Sequence, residues 1–330
     1  MGALHAHRSS LSARRCIIPS LPRPAGTGGR TIEAVQAPFR IALAQMRCDP
    51  DPQRNFSAAS RFVGLAARRG AALCVLPELF SNRYCGQFED SAAFLATVPP
   101  STEVLDRFSR LSRRHSLALV VPYLEQVAPD TCYNALAVFD GQGATVGRYR
   151  KIHIPAAVGY REDQYFRRGD LGYVVTAVGG VRLGLAICWD QWFPEVSRIL
   201  ALSGAQLIVY PSAIGSEVVA PDFDSHPDWE FVMRAQAIMN RVFIAAVNRV
   251  GQEEKIKFYG GSFIADPWGK VVRRGGSNAP RLVIADLDLS QSQKAKSFFG
   301  FLDTRAPETY GPLMQAVQGT TPGVDTGDGQ

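Results

Sequence analysis

Three polar residues stand where apolar runs end. Glu78 follows Leu73-Cys74-Val75-Leu76-Pro77, Lys151 follows Thr145-Val146-Gly147-Arg148-Tyr149-Arg150, and Cys188 follows Leu183-Gly184-Leu185-Ala186-Ile187. Strand ends in layered α/β proteins converge on one edge, where ligands sit. A carboxylate, an ammonium and a thiol meeting there can carry out nucleophilic attack on a carbonyl carbon. The carboxylate takes the thiol proton, sulfur attacks, and the cation holds the oxyanion. Taken singly, each residue has a plainer reading. A cysteine after an apolar strand often serves as a small buried hydrophobe. A glutamate after Leu-Pro is a common strand-ending surface charge, and a lysine in Arg-Tyr-Arg-Lys a solvated basic run.

Cys188 stands out by its downstream neighbours, Trp189-Asp190-Gln191-Trp192-Phe193-Pro194-Glu195 and then a helical pattern. Strand, tight turn and helix start form the layout that exposes a nucleophile. Nearby helix amides are expected to favour thiolate over thiol, and the N–H of Trp189 is placed to face an oxyanion. Three histidines lie between the tails, His115, His153 and His226. We read His115 as a helix end, His226 as part of a polar loop, and His153 as structural between two isoleucines. A carboxylate base with a lysine is the more economical set.

The elements that must position these groups are set by hydrophobic period. Strands are expected at 39–46, 72–76, 117–124, 132–139, 145–149, 181–187, 207–210, 243–248, 262–265, 270–273 and 282–287. Helices are expected at 55–69, at 102–112 behind a Ser101 cap, at 194–202 with Pro194 in its first turn, and at 228–240. Mixed β-β and β-α-β order points to sheets with helices packed on them. No sequence repeat of fixed period and no internal linker stands out, so one large domain over 38–318 is expected.

The composition is that of a globular chain, with 46% hydrophobic and 20% charged residues among 330. Residues 1–40 hold six arginines against one acid, so five of the six net positive charges lie there. The rest is close to neutral, which removes the electrostatic footprint of a nucleic-acid binder. Residues 1–37 read as a disordered or targeting extension and 319–330 as a disordered tail. No apolar run reaches the ~18–20 residues of a membrane span. Six cysteines without CxxC or zinc-ligand spacing suggest a reducing compartment, cytoplasmic, or an organelle if 1–37 is a transit peptide.

Pro77-Glu78-Leu79-Phe80, Tyr149-Arg150-Lys151-Ile152-His153-Ile154-Pro155 and Ile187-Cys188-Trp189-Asp190-Gln191-Trp192-Phe193-Pro194-Glu195 resemble the three signature blocks of the nitrilase superfamily of carbon–nitrogen hydrolases. The resemblance covers about residues 39–312. The segments 211–217 and 259–267 look most like the branch acting on N-carbamoylputrescine, with Val218 where that branch usually has proline. The resemblance implies a four-layer α-β-β-α sandwich that assembles as dimers or larger oligomers. Carried over, Glu78 is the general base, Lys151 and the Trp189 N–H the oxyanion donors, Cys188 the nucleophile, and Glu162 the second glutamate. No metal, nucleotide or flavin is implied. The expected substrate is a carbamoylated amine, with a carbamoyl amino acid, an amide or a nitrile as alternatives. A non-catalytic binding protein of the same fold is the reading from a different class. Glu217 is the acid placed to meet the far ammonium of a carbamoylated diamine.

Overall fold

The computed structural model describes residues 38–315. The extensions expected over 1–37 and 319–330 lie outside the described residues. Strand β1 (Phe39–Gln45) shows how the layers arise. Ile41 and Leu43 pack between two sheets, while Ala42 and Ala44 pack beneath helices on the other face. Period-2 alternation with both faces apolar is what a strand buried on two sides requires.

The first half continues with α1 (Pro52–Arg68), β2 (Leu73–Val75), α2 (Ser91–Leu95), α3 (Ser101–His115), β3 (Ala118–Ala128), β4 (Thr131–Phe139) and β5 (Thr145–Arg150). The second half adds β6 (Val174–Val178), β7 (Val181–Leu185), α4 (Pro194–Leu202), β8 (Leu207–Ser212), α5 (His226–Asn240) and β9 (Phe243–Asn248). It ends with β10 (Val250–Gln252), β11 (Lys257–Tyr259), β12 (Phe263–Ala265), β13 (Val271–Arg274), β14 (Arg281–Leu287) and α6 (Ser290–Phe299).

Two six-stranded mixed sheets result, ordered β14-β1-β2-β3-β4-β5 and β13-β12-β9-β8-β7-β6, beside a separate β10–β11 pair. Both sheets have the same pairing pattern. From β14 and from β6 the successive pairs run antiparallel, parallel, parallel, antiparallel, antiparallel. The molecule thus repeats one topology twice without repeating its sequence. Helices α1 and α3 pack on the first sheet and α4 and α5 on the second, which gives the expected α-β-β-α layers.

Helix α1 starts three residues before the sequence pattern predicts. Its first turn is capped by Asp51, whose carboxylate accepts from the Gln53 N–H at 2.9 Å, with Pro52 at the first position. That turn is polar and carries no apolar signal. The expected Ser101 cap is corrected. Ser101 is the first residue of α3, Pro100 precedes it without a side-chain cap, and the helix runs on to His115. Sequence reading also missed β6, the β10–β11 pair, α2 and α6. Helix α6 is mostly polar, with only Ser292 and Ala295 buried, so its apolar stripe is too thin to register. Among the described residues no helix is long and apolar enough to cross a membrane.

Candidate active site

Glu78, Lys151 and Glu162 are drawn from three separate segments and are fully buried together. Glu78 lies just beyond β2, and Leu79 after it takes a left-handed backbone, φ 47°. Lys151 lies directly beyond β5, where its N–H still donates to the Asn134 carbonyl of β4 at 2.8 Å. Glu162 opens a short 3-10 turn, Glu162–Gln164. The Lys151 Nζ donates to Glu78 Oε1 at 2.8 Å and to both oxygens of Glu162 at 2.7 and 2.9 Å. Burial works against the Lys151 ammonium, but the Glu162 and Glu78 carboxylates outweigh it and raise its pKa above the ordinary lysine value. The lysine therefore stays charged.

Glu78 is the less comfortable partner. Burial pushes its carboxyl upward, Lys151 pulls it down, and Glu162 raises it again; the balance is a raised pKa. Its Oε1 also accepts from Asn134 Nδ2 at 2.7 Å, whereas its Oε2 is buried with no hydrogen-bond partner among the described residues. A buried oxygen left open is costly unless something else occupies it in function. The same Asn134 amide donates to Glu162 Oε2 at 3.1 Å, and the Tyr84 hydroxyl donates to Glu162 Oε1 at 2.6 Å. Asn134 and Tyr84 escaped sequence reading, because one amide inside a strand and one tyrosine in a loop carry no spacing signal.

Cys188 starts the 3-10 turn Cys188–Trp192 between β7 and α4 and has φ 41°. A left-handed backbone costs an L-residue about 1–2 kcal/mol, and such strain clusters at functional turns. Only 5% of Cys188 is exposed. Burial, then the Glu78 carboxylate, lifts its thiol well above the ordinary range, against the pull of Lys151. This corrects the expectation of a thiolate favoured by helix amides. A thiol raised this far stays protonated at neutral pH, so any attack by its sulfur would need a base to take the proton. Trp189 is the next residue of the turn and is half-buried.

Asp190 fixes this turn. Its buried carboxylate accepts from the Ile187 N–H at 3.0 Å, the Tyr149 hydroxyl at 2.8 Å, the His153 N–H at 3.1 Å and His153 Nδ1 at 2.8 Å. Tyr149 and His153 flank Lys151 by two residues on either side. Asp190 therefore ties the cysteine turn to the lysine strand end, which gives His153 a structural role.

Glu217 lies in the loop after β8, half-buried, with its Oε1 accepting from Ser225 Oγ at 2.9 Å. The hydroxyls of Tyr160 and Tyr259 are raised first by burial; the charges of both Glu217 and Cys188 add to this. The two residues before Glu217 bond the Tyr160 hydroxyl, Gly215 through its N–H at 2.9 Å and Ser216 through its carbonyl at 3.3 Å, while the hydrogen bonds of the Glu78–Lys151–Glu162 cluster do not include Glu217. Tyr84, Tyr160 and Phe258 pack ring to ring at 5.8 and 6.0 Å and close the surrounding wall. His226, expected in a polar loop, instead opens α5 and stacks on Tyr259 at 4.5 Å.

The chain matches the family model described as carbon-nitrogen hydrolase over residues 40–297. It is 35% identical over 291 residues to an N-carbamoylputrescine amidase of Solanum lycopersicum, covering 86% of this chain and 96% of that protein. It is 32% identical to a citrullinase of Francisella tularensis, covering 84% of this chain and 99% of that one. Among solved structures it resembles a mutant of the amidase from a Nesterenkonia species, described as showing covalent addition of the acetamide moiety of fluoroacetamide at the active site cysteine. The TM-score is 0.70 at 27% identity, over 86% of this chain and 98% of that chain. The family match over most of the chain and the shared fold agree: the chain belongs to the carbon-nitrogen hydrolase family, hydrolases acting on non-peptide C–N bonds.

Proposed function

We propose that this chain is a cysteine-dependent amidohydrolase of carbamoylated amines, N-carbamoylputrescine foremost. The observation that carries the chemistry is the open Oε2 of Glu78, buried beside a lysine clamped by two carboxylates and near a strained cysteine. Glu78 takes the Cys188 proton as sulfur attacks the ureido carbon. Its raised pKa makes it a stronger base than a surface carboxylate. Charge developing on oxygen is met by the Lys151 ammonium and the Trp189 N–H. Protonated Glu78 returns the proton to departing ammonia and leaves an S-carbamoyl thioester. Glu78 then deprotonates a water that attacks the thioester. The released carbamate decomposes to the amine and carbon dioxide. Glu162 holds Lys151 in place throughout. Exposed Phe298 and Phe299 on α6 support self-association of the chain.

The substrate reading is supported by the amidase relatives and by Glu217, whose second oxygen makes no hydrogen bond among the described residues and could meet an ammonium. An ammonia-release panel over N-carbamoylputrescine, L-citrulline, an aliphatic amide and a nitrile tests it. The highest kcat/KM is expected for N-carbamoylputrescine; faster turnover of citrulline would overturn the assignment. Glu217→Gln should raise KM for the charged substrate about 10-fold, the size of one ~1.4 kcal/mol contact. A neutral alkylurea of the same length should be nearly unaffected. Equal losses on both would remove Glu217 from recognition.

Asp190 gives a separate expectation. Asp190→Asn presents an amide to donors that now meet a carboxylate, so the cysteine turn and the lysine shift apart. Misplacement of reacting groups by about 1 Å costs on the order of 10²-fold in rate. A fall in kcat of about that size with KM nearly constant is expected in steady-state kinetics. Wild-type kcat in the folded variant would show that the tie is dispensable.

A further inference from the structure

Arg249 follows β9 and Glu253 follows β10; neither touches the reacting groups through its side chain. Arg249 is fully buried. Its Nε and one terminal nitrogen donate to the Glu78 carbonyl at 3.1 and 2.9 Å, and that nitrogen also reaches the Leu79 carbonyl at 2.5 Å. The other terminal nitrogen donates to the Asn82 carbonyl and to Glu253 Oε1, both at 2.9 Å. All five donors of the guanidinium are thus used, and four of those contacts end on carbonyls of the loop that carries Glu78. Burial works against the charge, but Glu253 is among the groups that keep the guanidinium's pKa raised.

Glu253 carries the link to the second carboxylate. Its Oε2 accepts from the Tyr84 N–H at 2.7 Å and from Gln87 Nε2 at 3.2 Å. Tyr84 in turn donates its hydroxyl to Glu162 Oε1. One buried ion pair therefore holds the backbone under Glu78 and the tyrosine that rests on Glu162. A buried pair is a weak source of stability compared with well-packed apolar side chains. Its planar fork, however, fixes three carbonyls in a geometry that lysine cannot copy. Leu79 needs such a fixture, because its left-handed backbone would relax without one. We propose that Arg249 and Glu253 are positioning residues for the reaction, setting where the open oxygen of Glu78 points and, through Tyr84, where Glu162 sits.

This inference rests on the reading of Glu78 as the base. The test measures iodoacetamide labelling of Cys188 against pH, with kcat and KM determined alongside. Wild type, Arg249→Lys, Glu253→Gln and Glu78→Gln are compared as folded proteins. With its base in place, wild-type labelling should proceed at neutral pH. In Arg249→Lys the neutral-pH rate should fall about 100-fold and the profile should move toward higher pH, where the thiol ionises unaided. Glu253→Gln should shift it the same way with a loss of about 10-fold. In both, kcat should fall while KM stays within about 3-fold. If Arg249→Lys does not fold, Glu253→Gln carries the test, since its amide still offers Arg249 an acceptor. A lowered melting temperature with wild-type labelling profile and kcat in both variants would overturn the inference. Should Glu78→Gln itself keep the wild-type profile, the reading of Glu78 as the base fails first and takes the inference with it. Loss of the profile in Glu78→Gln alone would overturn only the positioning role.

Discussion

Cys188→Ala is expected to abolish turnover on every substrate of the panel, with a loss approaching the ~10⁶ typical of removing a nucleophile. The variant should fold. The side chain is small, alanine removes one sulfur from a turn already fixed by the Asp190 hydrogen bonds, and the left-handed backbone is no worse for alanine than for cysteine. Melting temperature should therefore stay close to wild type while activity disappears. Intact-protein mass spectrometry of the wild type with substrate should show one adduct, and Cys188→Ala should show none. Residual turnover at the wild-type rate would exclude the thioester route altogether.

The other cysteines sharpen this test. Cys74 sits in β2 with its thiol pushed up to about 12 by burial alone. Cys85 is buried next to Tyr84, and its thiol is raised by burial and then by Glu162 and Glu78. Cys188 is raised as well, yet of these three it is the one with a left-handed backbone, in the turn between β7 and α4. Selective alkylation at Cys188 would thus report the assisting base, since a thiol raised this far reacts slowly on its own.

Much of this site is legible in the chain alone. Glu78, Lys151 and Cys188 can be picked out because each ends a short apolar run, and strand ends must emerge at an edge. The blocks around them carry the family resemblance. What the sequence does not disclose falls into two kinds. Partners such as Asn134, Tyr84 and Asp190 act through hydrogen bonds that reach across 28 to 78 positions of chain, and no local pattern records such a bond. The doubled sheet topology is likewise invisible. It is fixed by which strands pair, and β1 and β7 need only be apolar to occupy matching places. The state of the thiol departs from expectation for a related reason. Helix amides near Cys188 are readable, whereas burial and a neighbouring carboxylate are properties of the assembled core.

Glu78→Gln and Lys151→Met should both lose catalysis, but they should differ in stability. Glutamine keeps the shape of Glu78, and its carbonyl oxygen can still accept from Lys151 and Asn134. Its amide nitrogen then replaces the open Oε2 and cannot take the thiol proton. A loss of about 10³-fold in kcat is expected with little change in melting temperature, within the range for one acid–base group. In the wild type the acid limb of kcat/KM should lie above the ordinary carboxylate range, because falling pH protonates Glu78 and its raised pKa brings that loss on early. On the proposed mechanism Lys151→Met removes the oxyanion's cation, worth ~10²–10³ in rate. It also strands Glu78 and Glu162, both fully buried, with no positive partner. Breaking a buried pair this way costs on the order of 3–5 kcal/mol. That cost has a fixed sign with pH. Without the lysine the Glu78 carboxyl is pushed still higher in the folded protein, so the folded state binds more protons than the unfolded one and stability falls as pH rises. Denaturant melts from pH 5 to 8 should show the deficit of Lys151→Met largest at pH 8 and shrinking toward pH 5, where a carboxyl takes up a proton. A deficit independent of pH would mean that the two carboxylates are not electrostatically held by Lys151, and near-normal kcat/KM in the folded variant would remove the lysine from the oxyanion site.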